Sequence, residues 1–97
     1  MAAYILTWNI KDVNRRQTFV GVIQAFYNQT PKIIIGYCPI HYNAWAILTS
    51  KTAKELREMF SQYVLAEDSL LIIRSGVEAA WINSLGPAND EWLKNHL

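Results

Sequence analysis

The chain has 97 residues, 52% of them hydrophobic and 18% charged, with a formal net charge of +1 at pH 7. This composition suits one folded domain; it excludes a disordered chain and, because Cys38 is the sole cysteine, a disulfide framework within the chain. The charge is unevenly spread: residues 1–51 carry five Lys/Arg against one acid, and residues 52–97 carry four against seven. A polyanionic partner would therefore meet the first half.

Met1 to Leu6 has no basic flank, and its apolar run stops at Thr7, so it reads as a strand and not as a signal peptide. No apolar run approaches the roughly 18 residues of a membrane span, so no membrane association is expected. A lone thiol fits a reducing compartment, and a cytoplasmic location is the expectation.

Residues 3–10 are rich in β-branched and aromatic side chains and predict the first strand. Lys11 to Asn14 is a polar turn, and Asn14 is a candidate cap for a helix whose first turn is Arg15-Arg16-Gln17. Phe19, Val22, Ile23 and Phe26 then form the i, i+3, i+4, i+7 stripe of one buried helix face. Gly21 interrupts that helix and points to a close backbone approach. Lys32 to Cys38 predicts the second strand, broken by Pro39, with Pro39 to Asn43 as a hairpin connection into a third strand over 44–50. Thr52 and Glu55 have capping-box spacing and open a second helix with Ala53, Leu56, Phe60 and Tyr63 inward. Asp68 to Ser75 predicts the fourth strand.

The order β-α-β-β-α-β predicts an α+β, ferredoxin-like sandwich with a four-stranded antiparallel sheet. Residues 1–75 form its core, and residues 76–97 form a C-terminal extension. That extension holds Trp81, Trp92 and Leu97, with a turn at Gly86-Pro87 and a last helical turn capped by Asn89 or Asp90. It is too apolar to float free and is expected to pack on the core or on a dimer partner. Strand four reads Leu70-Leu71-Ile72-Ile73 and strand two Ile33-Ile34-Ile35, so both sheet faces look buried. Two sheets packed face to face in a homodimer would bury the second face; the extension alone is the other way to cover it.

Cys38-Pro39-Ile40-His41 has ligand-like spacing but no second pair, so a core thiol and a solvated histidine are expected in place of a zinc site. The turn after strand one, Trp8-Asn9-Ile10-Lys11-Asp12-Val13-Asn14-Arg15-Arg16, sets polar groups at a strand end before two arginines in a helix's first turn. Such an arrangement can bind phosphate; it is also what an ordinary capped turn with exposed arginines looks like.

The same stretch resembles the signature of the small CRISPR-associated endoribonuclease family, the adaptor partner of the spacer integrase: Tyr-Asp-Ile, any residue, Asp, two residues, Arg-Arg. Here it is Trp8-Asn9-Ile10, Asp12 and Arg15-Arg16. The second half resembles a solitary SinR-like relative of that family, through Trp45 to Ser50, Ala53 to Arg57, Asp68 to Ile73, Gly76 to Trp81 and Trp92 to Leu97. The resemblance implies a ferredoxin-like homodimer. The family's metal-binding aspartate falls at Asn9, whose neutral amide oxygen is a far weaker ligand for Mg²⁺ than a carboxylate. The expected function is therefore a non-catalytic nucleic-acid-binding or adaptor protein, with Lys11, Arg15 and Arg16 as phosphate contacts and no cofactor. One alternative is a weak metal-dependent nuclease using Asn9 and Asp12 with Mg²⁺ or Mn²⁺. The other is an antitoxin-like subunit that meets another protein through its C-terminal extension.

Overall fold

The computed structural model describes residues 1–75 and 87–96. The expectations for Gly76 to Gly86, including Trp81, and for Leu97 lie outside the described residues. In chain order the elements are β1 (Ala2–Asn9), α1 (Val13–Asn28), β2 (Ile34–His41), β3 (Ala44–Thr49), α2 (Ala53–Phe60) with a 3-10 turn at Ser61–Tyr63, β4 (Ser69–Arg74) and α3 (Pro87–His96). The strands make one antiparallel sheet in the order β2-β3-β1-β4. This is an α+β architecture compatible with a ferredoxin-like fold. No helix among the described residues is long and apolar enough to cross a membrane.

Alternation along β1 sends Tyr4, Leu6 and Trp8 to one face, where α1 and α2 bring Phe19, Ile23, Leu56 and Phe60 against them. All seven are buried. The rings interlock: Trp8–Phe19 at 4.9 Å, Phe19–Phe60 at 5.2 Å and Phe26–Phe60 at 5.4 Å between centroids. Buried Thr49 is satisfied, donating to the Ile33 carbonyl at 2.6 Å and accepting from the Lys51 N–H at 3.1 Å.

α2 starts as its sequence predicts. Thr52 Oγ1 accepts from the Glu55 N–H at 3.1 Å and Glu55 returns a bond to the Thr52 N–H at 3.0 Å. These bonds from Thr52 hold the Glu55 carboxyl below its usual range. α1 differs from expectation. Its cap is Asp12, not Asn14: Asp12 has extended backbone and accepts from the Arg15 N–H at 3.0 Å. The helix therefore begins two residues earlier, and Arg15 is its third residue, not its first. Gly21 marks no close approach, since a Cβ there would meet nothing within 4 Å.

Pro39 does not end β2, which runs on to His41 before a two-residue turn at Tyr42 and Asn43. β2 is an edge strand, where a residue without an N–H is tolerated, and the register to β3 shifts between Pro39 and His41.

Among the described residues, the second face of the sheet is covered by α3 on its β2–β3 side. α3 lays Leu93 and Trp92 against Cys38 and Ala46, with Ile5 and Ile40 alongside. The Trp92 indole lies over Gly36, where an added Cβ would stand 3.7 Å from it. The expected cap role of Asn89 is not what is found. The helix starts at Pro87, and the Asn89 amide donates to the Pro39 carbonyl at 2.7 Å, tying α3 to the edge strand. On the β4 side, in the single chain, Leu71 is 53% exposed and Ile73 50%.

Candidate functional site

Asn9 is the exposed last residue of β1, paired with Ser69 of β4. The next residues turn sharply into α1, because Asp12 caps the helix and the Arg16 N–H bonds the Asp12 carbonyl at 3.0 Å. The two adjacent arginines of this turn have different surroundings.

Arg15 reaches across to the loop before β4. Its guanidinium pairs with Asp68 through both terminal nitrogens and with Glu67 at 3.2 Å. Asp68 also accepts from the Lys11 N–H at 3.0 Å and the Leu65 N–H at 2.9 Å. Its side chain has no solvent-accessible surface. Hydrogen bonds from Arg15 first, and then from the Lys11 and Leu65 backbone, hold the Asp68 carboxyl far below the usual carboxylate range. The same pairing raises the Arg15 guanidinium above its ordinary value. Asp68 thus fastens the β1–α1 turn to the start of β4, with the charge of Arg15 matched on the spot.

Arg16 is held by carbonyls. Its Nε donates to the Ile10 carbonyl at 2.5 Å and its Nη2 to the Lys11 carbonyl at 3.3 Å. It makes no ion pair among the described residues, so its positive charge is oriented but unmatched. Lys11 is exposed and likewise without an ion pair there.

Arg16 borders a cleft of about 400 Å³ with Trp8, Asn9 and Ile10 at the end of β1, Val20 of α1, and Tyr42 and Asn43 of the β2–β3 turn. The Trp8 N–H donates to the Asn43 carbonyl at 3.0 Å, which seats the turn beside β1. Of the residues expected at the site, Asn9 and Arg16 share this cleft. Asp12 is engaged as the helix cap, and Arg15 is turned into the Asp68 pairing. His41 is exposed and Cys38 is buried under α3. No group of three His, Cys, Asp or Glu gathers among the described residues.

Sequence reasoning missed Asp68 and Glu67 as partners of Arg15, and Tyr42 and Asn43 as walls of the cleft. Opposite charge was the sole signal for the first pair, and no spacing rule links positions 53 residues apart. Compared with known proteins, the chain matches no family model, no curated protein and no solved structure.

Proposed function

We propose that the chain is a small homodimer with a ferredoxin-like βαββαβ core, resembling the CRISPR-associated endoribonuclease family, that holds nucleic acid as a binding or adaptor protein and does not cut it. The observation that carries this reading is the distribution of charge at the end of β1. The nearby carboxylates are spent: Asp12 caps α1, and Asp68 neutralises Arg15. Arg16 and Lys11 remain as positive charges without acidic partners among the described residues. A guanidinium beside neutral amides attracts an oxyanion and repels a cation.

The residues around Asn9 do not fit a divalent metal. Mg²⁺ is held through one or two carboxylates together with waters, and the carboxylates at this turn are engaged: Asp12 accepts from the Arg15 N–H and Asp68 pairs with the Arg15 guanidinium. No reaction step is therefore derived through a metal. The exposed Leu71 and Ile73, on the part of the sheet that no described helix covers, support self-association through that face.

The test is binding of a labelled oligonucleotide at low salt, together with a fragment-release assay in Mn²⁺. Arg16→Ala is expected to weaken binding to all sequences alike and to lower the salt slope by about one, as loss of a single phosphate contact does. No fragments are expected. Cleavage that EDTA stops and Asp12→Ala abolishes overturns the proposal in favour of a nuclease.

A further inference from the structure

The cleft at the end of β1 has a second component besides charge. Tyr42, in the turn between β2 and β3, is 99% exposed, yet its neighbours are polar groups with unused bonding capacity. Among the described residues the Asn9 and Asn43 side-chain amides and the Tyr42 hydroxyl make no hydrogen bond, and Arg16, which has no ion pair there, lines the same cleft with its guanidinium held on the Ile10 and Lys11 carbonyls. An isolated exposed aromatic is ordinary on a protein surface. Here Tyr42 borders the same cleft as two asparagines without side-chain hydrogen bonds and an arginine held in place, which together form a different kind of surface.

From this juxtaposition we propose that the cleft takes a single nucleotide of an unpaired strand, with its phosphate on Arg16, its base face on the Tyr42 ring and its base edge on the amides of Asn9 and Asn43. The inference rests on the nucleic-acid reading above and adds the state of the strand. Each carboxamide offers one acceptor and two donors, the complement that a base edge presents. A guanidinium anchored through Nε and one Nη keeps donors for a phosphate oxygen. A ring that protrudes into solvent can stack only on a base whose face is open, and in a duplex those faces are covered by neighbouring pairs. The volume of about 400 Å³ lies in the range of sites for one small ligand. Asn9 gains a role here that requires its being an amide, since a carboxylate at that position would repel the phosphate beside Arg16.

The experiment measures fluorescence anisotropy of a labelled 12-nucleotide single strand, as RNA and as DNA, and of a fully paired hairpin, at low and moderate salt. The parent is expected to bind the single strand at least about tenfold more tightly than the hairpin. Tyr42→Ala should lose roughly fivefold to a hundredfold of single-strand affinity, the effect of one stacked base, and should leave hairpin binding unchanged. Tyr42→Phe should retain the affinity. Because the Tyr42 side chain lies in solvent, neither variant disturbs the fold. Equal binding by parent and Tyr42→Ala, or preference for the hairpin, overturns the inference while dependence on Arg16 keeps nucleic-acid binding intact. Absence of binding to every probe overturns both.

Discussion

Among the described residues, the second face of the sheet is divided between a half that lies under α3 and a half that no helix covers. Over β2 and β3, α3 sets Leu93 and Trp92 on Cys38 and Ala46, and the Asn89 amide latches the helix to the Pro39 carbonyl. Over β4 no described helix lies, and Leu71 and Ile73 stand half in water. The two halves have similar apolar composition and differ in what is laid on them. Strand composition alone, as in Leu70-Leu71-Ile72-Ile73, states that a face is sticky, but it does not state what covers it. The bare half is held from its end instead, where Asp68 ties the start of β4 to the β1–α1 turn.

The largest effect is expected where the cover is removed. Leu93→Ala deletes a fully packed side chain between α3 and the sheet and should cost about 2–5 kcal/mol, read as a fall in the urea midpoint. A loss below about 1 kcal/mol would mean that the two halves are energetically alike and that α3 rests on the sheet without supporting it.

Next in size is the tie at the end of the bare half, which is sensitive to acid. The Asp68 carboxyl sits far below its unfolded value, so its contribution to stability is complete above about pH 4, where the unfolded group is also ionised. It is lost as pH falls through the folded value. The urea midpoint of the parent should therefore drop steeply below about pH 4. Asp68→Asn should be less stable than the parent at pH 7 and show a flatter acid limb. An unchanged acid limb in Asp68→Asn would place the sensitivity elsewhere.

The smallest effect on the single chain is expected on the bare surface itself. Leu71→Thr with Ile73→Thr changes half-exposed, β-compatible positions and should shift chain stability by no more than about 0.5 kcal/mol per site. The same pair should lower the mass seen by light scattering from about twice 11.2 kDa towards the single-chain value. A parent that is already a monomer at micromolar concentration would show that the bare half is not an interface between copies.

The parts of the fold that were legible in the sequence are those fixed by near neighbours. The Phe19/Ile23 and Leu56/Phe60 stripes follow from helical period, and the Thr52–Glu55 capping box from spacing of three. Where two residues of the same chemistry compete, as Asp12 and Asn14 do for the cap of α1, propensity does not choose. Pro39 reads as a breaker because its tolerance depends on β2 lying at the sheet edge, a property of the whole fold. The candidate site divides in the same way. Asn9, Asp12, Arg15 and Arg16 were visible as one run, but which arginine keeps its charge is decided by Asp68, which arrives from the far end of the chain. Tyr42 and Asn43 join the site only because antiparallel pairing of β3 with β1 brings their turn to the end of β1.

The position of Cys38 under α3 turns the protein's sole thiol into a timer. Its Sγ lies 3.7 Å from the Asn89 carbonyl of the helix, and the residue is 2% exposed. An alkylating reagent reaches it when the structure around it opens, as when α3 lifts, so the rate of modification under native conditions reports on such openings. Fraying of the C-terminal helix, invisible to a measurement that averages over the whole chain, is thereby recorded as chemistry at a single atom.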